Sequence, residues 1–360
     1  MSRSPLGFDL GQLQEERRRL EKRLLDGLKV LSGVEDVEVG ASVRIPVWSQ
    51  DKVTVYRFVA DGADADAPCR NPLLIVYALV NRPYMVDLQR DRSLVQRLLA
   101  LGHDVYVVDW GYPDRADRWL ELHDYIARYL DGAVRHLCQA SGQPSIDLLG
   151  VCQGGVFSLC YAALEPARVR NLVTMVTPVD FHTQGNMLAN WARAIDVDLM
   201  VEVLGNIPAD LMNTSYLMLK PFRLNLQKYA GLVDILHDRK AVEDFLRMEK
   251  WIFDSPDLAG AAFADFIKQF YQANALVNGT ARIGDRAVDL QQLSMPVLNI
   301  YAEQDHLVPP QASLALAELL PQGCDYTERS FAGGHIGIYV SSRAQREVPA
   351  AIDGWLRTRY

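Results

Sequence analysis

Along the chain, short apolar runs alternate with longer amphipathic stretches. Lys52–Phe58 (KVTVYRF) alternates apolar and polar positions, the pattern of a half-buried strand. Leu73–Tyr77 (LLIVY), Val105–Asp109 (VYVVD), Ser145–Leu149 (SIDLL), Leu172–Val176 (LVTMV) and Pro296–Tyr301 (PVLNIY) are apolar on both faces or nearly so. Strands inside a covered parallel sheet need that character. Tyr326–Phe331 predicts a last strand. Helices are predicted at Ser93–Leu101, Leu120–Cys138, Gly155–Leu164 and Leu314–Leu320, with a closing helix over residues 342–358. Repeated strand–helix alternation predicts an α/β fold with a mostly parallel sheet.

Two stretches break this rhythm. From Phe181 to Leu290 the chain is helical and rich in large side chains, among them Met187, Trp191, Met212, Phe222, Tyr229, Trp251, Phe266 and Phe270. This predicts a mobile helical cap, or lid, inserted in the sheet domain over an apolar pocket. At the other end, residues 1–10 read as a loose arm. Leu13, Leu20, Leu24, Leu28 and Leu31 share one side of a charged helix, which either packs on its own domain or docks on another surface. The expected organisation is therefore an N-terminal arm and amphipathic helix (1–50), a sheet domain (51–180 and 291–360) and a cap (181–290). Asp61–Pro68 reads as a solvated loop.

Composition changes the picture only at the margins. Of 360 residues, 49% are hydrophobic and 23% charged, ordinary values for a globular protein. The net charge of −8 argues against a nucleic-acid footprint. Five cysteines (69, 138, 152, 160, 324) are odd in number and scattered without metal-ligand spacing, which suggests a reducing compartment. The first residues lead into charged positions and not into an apolar signal region. No apolar stretch is long enough to span a bilayer. A cytoplasmic protein without cofactor or metal is expected.

The chemistry centres on Gly150-Val151-Cys152-Gln153-Gly154, placed between a strand and a buried helix. Strand, tight turn and helix together make a nucleophile elbow. Its strained turn leaves no room for bulky neighbours, hence glycines at 150 and 154, while Gly155 brings the helix start close to the strand. At a helix start a thiolate is favoured by the helix dipole and by free N–H groups. Asp305 follows the penultimate strand and His335 the last, so nucleophile, acid and histidine come in the order and positions of an α/β-hydrolase triad. His335 takes the Cys152 proton; Asp305 orients His335 or acts as a base itself. The backbone N–H groups of Gln153 and Val80 are the candidate oxyanion donors. His306 is either a substrate contact or structural. Histidines 103, 123, 136, 182 and 237 have no partner visible in the sequence.

Thiolates exchange readily with thioesters, so a cysteine elbow fits acyl transfer from an acyl-CoA as well as hydrolysis of an ester, lactone or thioester. A third reading is a non-catalytic scaffold, against which the intact Cys152/Asp305/His335 set argues.

The segment Gly150–Gly155 resembles the lipase-like box of poly(3-hydroxyalkanoate) synthases. So do Leu74–Tyr84 (LIVYALVNRPY), Val107–Tyr112 (VVDWGY), Asn171–Phe181 (NLVTMVTPVDF), Arg247–Asp257 (RMEKWIFDSPD), Asp305–Pro310 (DHLVPP) and Gly333–Val340 (GGHIGIYV). The resemblance runs from about residue 50 to the end. The short length and the LVNRPYM and FLRMEKWIFDSPD segments are most similar to class III catalytic subunits; class IV enzymes are also short. The resemblance implies an α/β-hydrolase fold and polymerisation of (R)-3-hydroxyacyl-CoA, usually 3-hydroxybutyryl-CoA, with release of CoA. It implies that Cys152 is the acylated nucleophile, His335 its base and Asp305 a carboxylate that helps activate the attacking 3-hydroxyl. It also implies a homodimer, a second synthase subunit (PhaE type, or PhaR type in class IV) and residence at the surface of cytoplasmic polyester granules.

Overall fold

A computed structural model of the chain describes residues 37–60, 62, 71–219 and 228–359, together with Glu15 and Arg18. The expected N-terminal arm and most of its helix, the loop at 61–68, Cys69 and Phe222 lie outside the described residues.

The chain divides into two compact units. The larger comprises residues 40–212 and 255–360. Its centre is an eight-stranded sheet built from β1 (Val43–Gln50), β2 (Val53–Val59), β3 (Pro72–Val76), β4 (Asp104–Asp109), β5 (Ile146–Val151), β6 (Val169–Met175), β7 (Val297–Ala302) and β8 (Tyr326–Phe331). The strand order is β1-β2-β4-β3-β5-β6-β7-β8. Only β2 pairs antiparallel with its neighbours, β1 and β4. All pairings from β4 to β8 are parallel. The predicted strands are all present, within a few residues of their expected ends.

One strand of this sheet is absent from the sequence expectations, as are the short pairs Asp87–Gln89 with Arg92–Ser93 and Arg282–Ile283 with Arg286–Ala287. Val43–Gln50 was assigned to the N-terminal arm, but it is the edge strand β1 and moves the start of the sheet domain ahead of residue 50. Its pattern misled because none of its residues is fully buried and it carries a proline and a register shift between Pro46 and Trp48. A proline within a strand is tolerated at such an edge, where no neighbour needs its missing N–H.

The polar residues inside the apolar strands are explained by pairing. Asp147 on β5 is wholly buried, and Arg170 on β6 grips both its oxygens (Nε–Oδ1 3.0 Å, Nη2–Oδ2 2.7 Å), helped by Asn171 Nδ2 at 2.8 Å. Asn299 Oδ1 on β7 accepts the hydroxyls of Thr174 and Ser313, both at 3.0 Å. Buried polar groups satisfied in this way fix register without the penalty of an orphaned donor.

The expected cap is divided between the two units. Residues 181–212 and 255–290 belong with the sheet, where Phe181, Phe266, Phe270 and Tyr271 form one aromatic cluster with Phe157 of the helix after β5. Residues 213–254 belong to the smaller unit, with residues 1–39. Within it the helix Arg239–Phe253 is capped by Asp238, whose carboxylate accepts the Ala241 N–H. This helix also binds the chain ahead of Gly40: Arg247 donates to the Glu38 carbonyl and Lys250 to that of Val37, at 3.1 and 3.0 Å.

Because β3 to β8 run in the same direction, their C-terminal ends lie along one edge of the sheet. Crevices at such an edge are where open α/β sheets bind ligands. The loops leaving it carry Tyr77 to Arg82, Asp109 to Tyr112, Cys152, Thr177, Asp305 and His335.

Candidate active site

Cys152 sits between β5 and the helix Gln153–Leu164 with φ 53° and ψ −119°. This conformation is sterically costly for an L-residue. It holds because the elbow is over-determined on every side. A Cβ on Gly154 would lie 2.1 Å from the Val76 carbonyl oxygen of β3. One on Gly155 would lie 1.8 Å from Thr177 Oγ1, and one on Gly150 2.5 Å from the Gly155 Cα. The helix start thus packs against β3 through Gly154 and against the end of β6 through Gly155, a division of labour that the sequence did not reveal. Cys152 N–H donates to the Met175 carbonyl at 2.9 Å and locks the turn to β6. The Cys152 side chain is partly exposed.

The structure brings the three expected residues together. His335 Nδ1–H donates to Asp305 Oδ2 at 2.6 Å, with both residues buried. The Cys152 side chain is close enough for its charge to act on the His335 ring. Asp305 Oδ1 accepts the N–H groups of Leu307 and Val308 at 2.8 and 2.9 Å, so both carboxylate oxygens are engaged. Burial acts most strongly on the His335 imidazole and pushes its pKa down. The Asp305 and Cys152 charges, with the hydrogen bond to Asp305, outweigh it and raise the value to about 10.

Gln153 is the first residue of its helix, so its N–H has no acceptor within the helix. Its side chain has a function missed in the sequence: Gln153 Oε1 accepts the Leu79 N–H at 2.9 Å. That bond takes the Leu79 amide out of play and places Val80 next in line. The loop that carries Val80 is pinned at several further points. Trp110 Nε1 donates to the Tyr77 carbonyl at 2.9 Å. Arg82 reaches Asp109 Oδ2 at 2.6 Å and the Gly111 carbonyl at 3.0 Å, and its guanidinium lies 4.1 Å from the Tyr112 ring centroid. Asn81, with φ 62°, donates to Ser255 Oγ at 2.5 Å. The NRPY and VVDWGY segments, with Ser255, are therefore one brace around the loop after β3. His306 is half-buried beside Asp305.

Two tyrosines missed by sequence reasoning complete the surroundings. The Tyr339 ring is edge-on to His335, with centroids 6.3 Å apart, and to Tyr77 at 6.5 Å. The only signal available in the sequence was spacing: Tyr339 follows His335 by one helical turn.

A cysteine elbow, a buried acid–histidine pair and an amide-lined loop on a mostly parallel sheet define a nucleophilic enzyme of the α/β-hydrolase class. Residues 71–342 match the family described as alpha/beta hydrolase fold. A thermophilic esterase from Thermogutta terrifontis superposes with a TM-score of 0.52 at 17% identity, covering 88% of this chain and 98% of the esterase. At that identity the likeness concerns the fold alone. The sequence is 54% identical over 346 residues to the poly(3-hydroxyalkanoate) polymerase subunit PhaC of Synechocystis sp., covering 94% of this chain and 91% of the relative. It is 53% identical to the protein of the same name from Allochromatium vinosum, covering 99% of each. The chain belongs to this polymerase family within the alpha/beta hydrolase fold. Among the described residues no helix is long and apolar enough to cross a membrane.

Proposed function

We propose that the chain is the catalytic subunit of a poly(3-hydroxyalkanoate) polymerase, an acyltransferase that joins (R)-3-hydroxyacyl units, 3-hydroxybutyryl above all, from their CoA thioesters. The observation that carries this reading is a thiol in place of a hydroxyl at the elbow, beside a buried and charged acid–histidine pair, in a chain with polymerase relatives along almost its full length.

In the mechanism that these contacts support, Cys152 Sγ attacks the thioester carbonyl. The Gln153 and Val80 N–H groups hold the oxygen as it becomes negative. The tetrahedral intermediate collapses by breaking the bond to the CoA sulfur, and the proton held by His335 leaves with CoA. Neutral His335 then removes the proton from the 3-hydroxyl of the attacking unit, and the oxygen attacks the thioester carbonyl on Cys152; the new ester forms as the C–Sγ bond breaks, leaving the Cys152 thiolate beside protonated His335. Both Asp305 oxygens are engaged, by His335 and by the Leu307 and Val308 amides, which supports an orienting carboxylate over one that touches the hydroxyl itself. His306, half-buried beside Asp305, is the proposed substrate contact. The enzyme acts as a homodimer with a second synthase subunit of the PhaE type, at the surface of cytoplasmic polyester granules, and it needs no cofactor.

The test is an assay of CoA release from (R)-3-hydroxybutyryl-CoA, with parallel measurement of polymer and free hydroxy acid, for the chain alone and with a PhaE-type subunit. Polymer with stoichiometric CoA, increased by the second subunit and lost in Cys152→Ala, is expected. CoA with free hydroxy acid alone would make the protein a thioesterase.

A further inference from the structure

Among the described residues the buried Tyr339 hydroxyl has no hydrogen-bond partner, in a residue that is only 2% exposed. An orphaned buried hydroxyl is destabilising, and such groups in a folded protein call for an explanation. Its surroundings supply one. The ring is packed edge-on against the His335 imidazole and against Tyr77, itself buried on the loop after β3. Burial, followed by the charges of Tyr77, Cys152 and Asp305, holds the phenol far above its ordinary pKa. It therefore keeps its proton at any working pH and can only gain by donating it to an acceptor. The helix Gly337–Val340 that carries it is held at its C-terminal end by Gln345 Nε2, which donates to the Tyr339 carbonyl. The ring is thus held against the catalytic histidine, within reach of the Cys152 charge, and the described residues provide its hydroxyl no acceptor.

Resting on the function proposed above, we infer that Tyr339 is a specificity-determining residue whose hydroxyl donates to the 3-oxygen of a hydroxyacyl group seated at Cys152. A simple acyl chain has no oxygen at that carbon and leaves the hydroxyl unpaired. A site built to pair a substrate oxygen discriminates strongly against the analogue that lacks it. Tyr339 would then select 3-oxygenated acyl thioesters before any polymer forms, at a cost in stability to the empty enzyme.

The experiment uses Tyr339→Phe in the full chain, in both the active and the Cys152→Ala background. Three readouts are taken: thermal midpoint, kcat/KM for 3-hydroxybutyryl-CoA, and the Kd of 3-hydroxybutyryl-CoA and butyryl-CoA on the Cys152→Ala forms. The expected result is a raised midpoint, about tenfold loss of kcat/KM and of affinity for the hydroxyacyl thioester, and butyryl-CoA affinity unchanged within about twofold. A lowered midpoint would mean that the hydroxyl already has a partner in the fold and would overturn the inference. Equal loss for both thioesters, or for neither, would also overturn it. Free hydroxy acid from the active enzyme, with the selective affinity loss intact, would remove the polymerase reading and leave the Tyr339 contact standing.

Discussion

Gln153 accepts the Leu79 N–H at 2.9 Å through its side-chain carbonyl, so the residue after the nucleophile also clamps the loop that faces it. Its backbone amide and the Val80 amide belong to different elements, and this bond ties those elements together directly. In Gln153→Met the volume is kept and the acceptor lost. Removing an oxyanion donor outright costs ~10²–10³ in kcat. Misplacing one here is expected to lower kcat by ~10- to 100-fold with KM changed little, measured by steady-state CoA release. A rise in KM at constant kcat would place Gln153 in substrate binding instead.

The His335 pKa, raised to about 10, has a consequence for stability. The unfolded imidazole titrates near ~6.5, so between the two values the folded protein holds a proton that the unfolded chain does not. This contribution is complete below ~6.5 and is lost as pH rises through about 10. Urea unfolding at pH 7 and pH 10 is expected to show a larger loss for the native protein than for Asp305→Asn. In that variant the carboxylate charge is gone and burial drives the imidazole pKa down. Equal losses would contradict the ion pair.

Two glycines separate close packing from mere helix propensity. Gly154→Ala places a Cβ 2.1 Å from a β3 carbonyl oxygen and is expected to destabilise by ~3 kcal/mol or more. Gly354→Ala, in the closing helix Ala344–Arg357 with nothing within 4 Å, is expected to stabilise by ~0.5–1 kcal/mol. Chemical denaturation of both variants checks the contrast.

Arg82 and Asp109 form a largely buried ion pair at 2.6 Å. Removing one partner of such a pair strands the other charge and costs ~3–5 kcal/mol. Arg82→Ala is therefore expected to be severely destabilised, and adding Asp109→Ala should recover part of the loss. A double-mutant cycle on unfolding free energies measures this coupling; additive losses would mean that the pair does not brace the loop.

The sheet was legible because its inner strands are apolar on both faces, and the Cys152, Asp305 and His335 positions because each follows such a strand. The edge strand Val43–Gln50 was not, since an exposed strand loses that signature. Contacts between side chains and backbone left no trace in the sequence: Gln153 on Leu79, Trp110 on Tyr77, Gly154 against β3. Each depends on where two remote segments meet, which periodicity does not encode. The 181–290 stretch was legible as helical only as far as Gln272, after which come turns and the strand pair Arg282–Ile283 with Arg286–Ala287; the division that assigns residues 213–254 to the smaller unit follows tertiary packing and not composition.

The central claim is a covalent acyl intermediate on Cys152. The direct measurement is mass spectrometry of the acid-quenched protein after brief mixing with (R)-3-hydroxybutyryl-CoA, followed by peptide mapping. The account predicts a hydroxyacyl adduct, with or without further units, on the peptide that carries Cys152. The adduct should be absent from Cys152→Ala and should accumulate less in His335→Gln. CoA release by the native protein with no adduct on Cys152, or with an adduct on another residue, would contradict it.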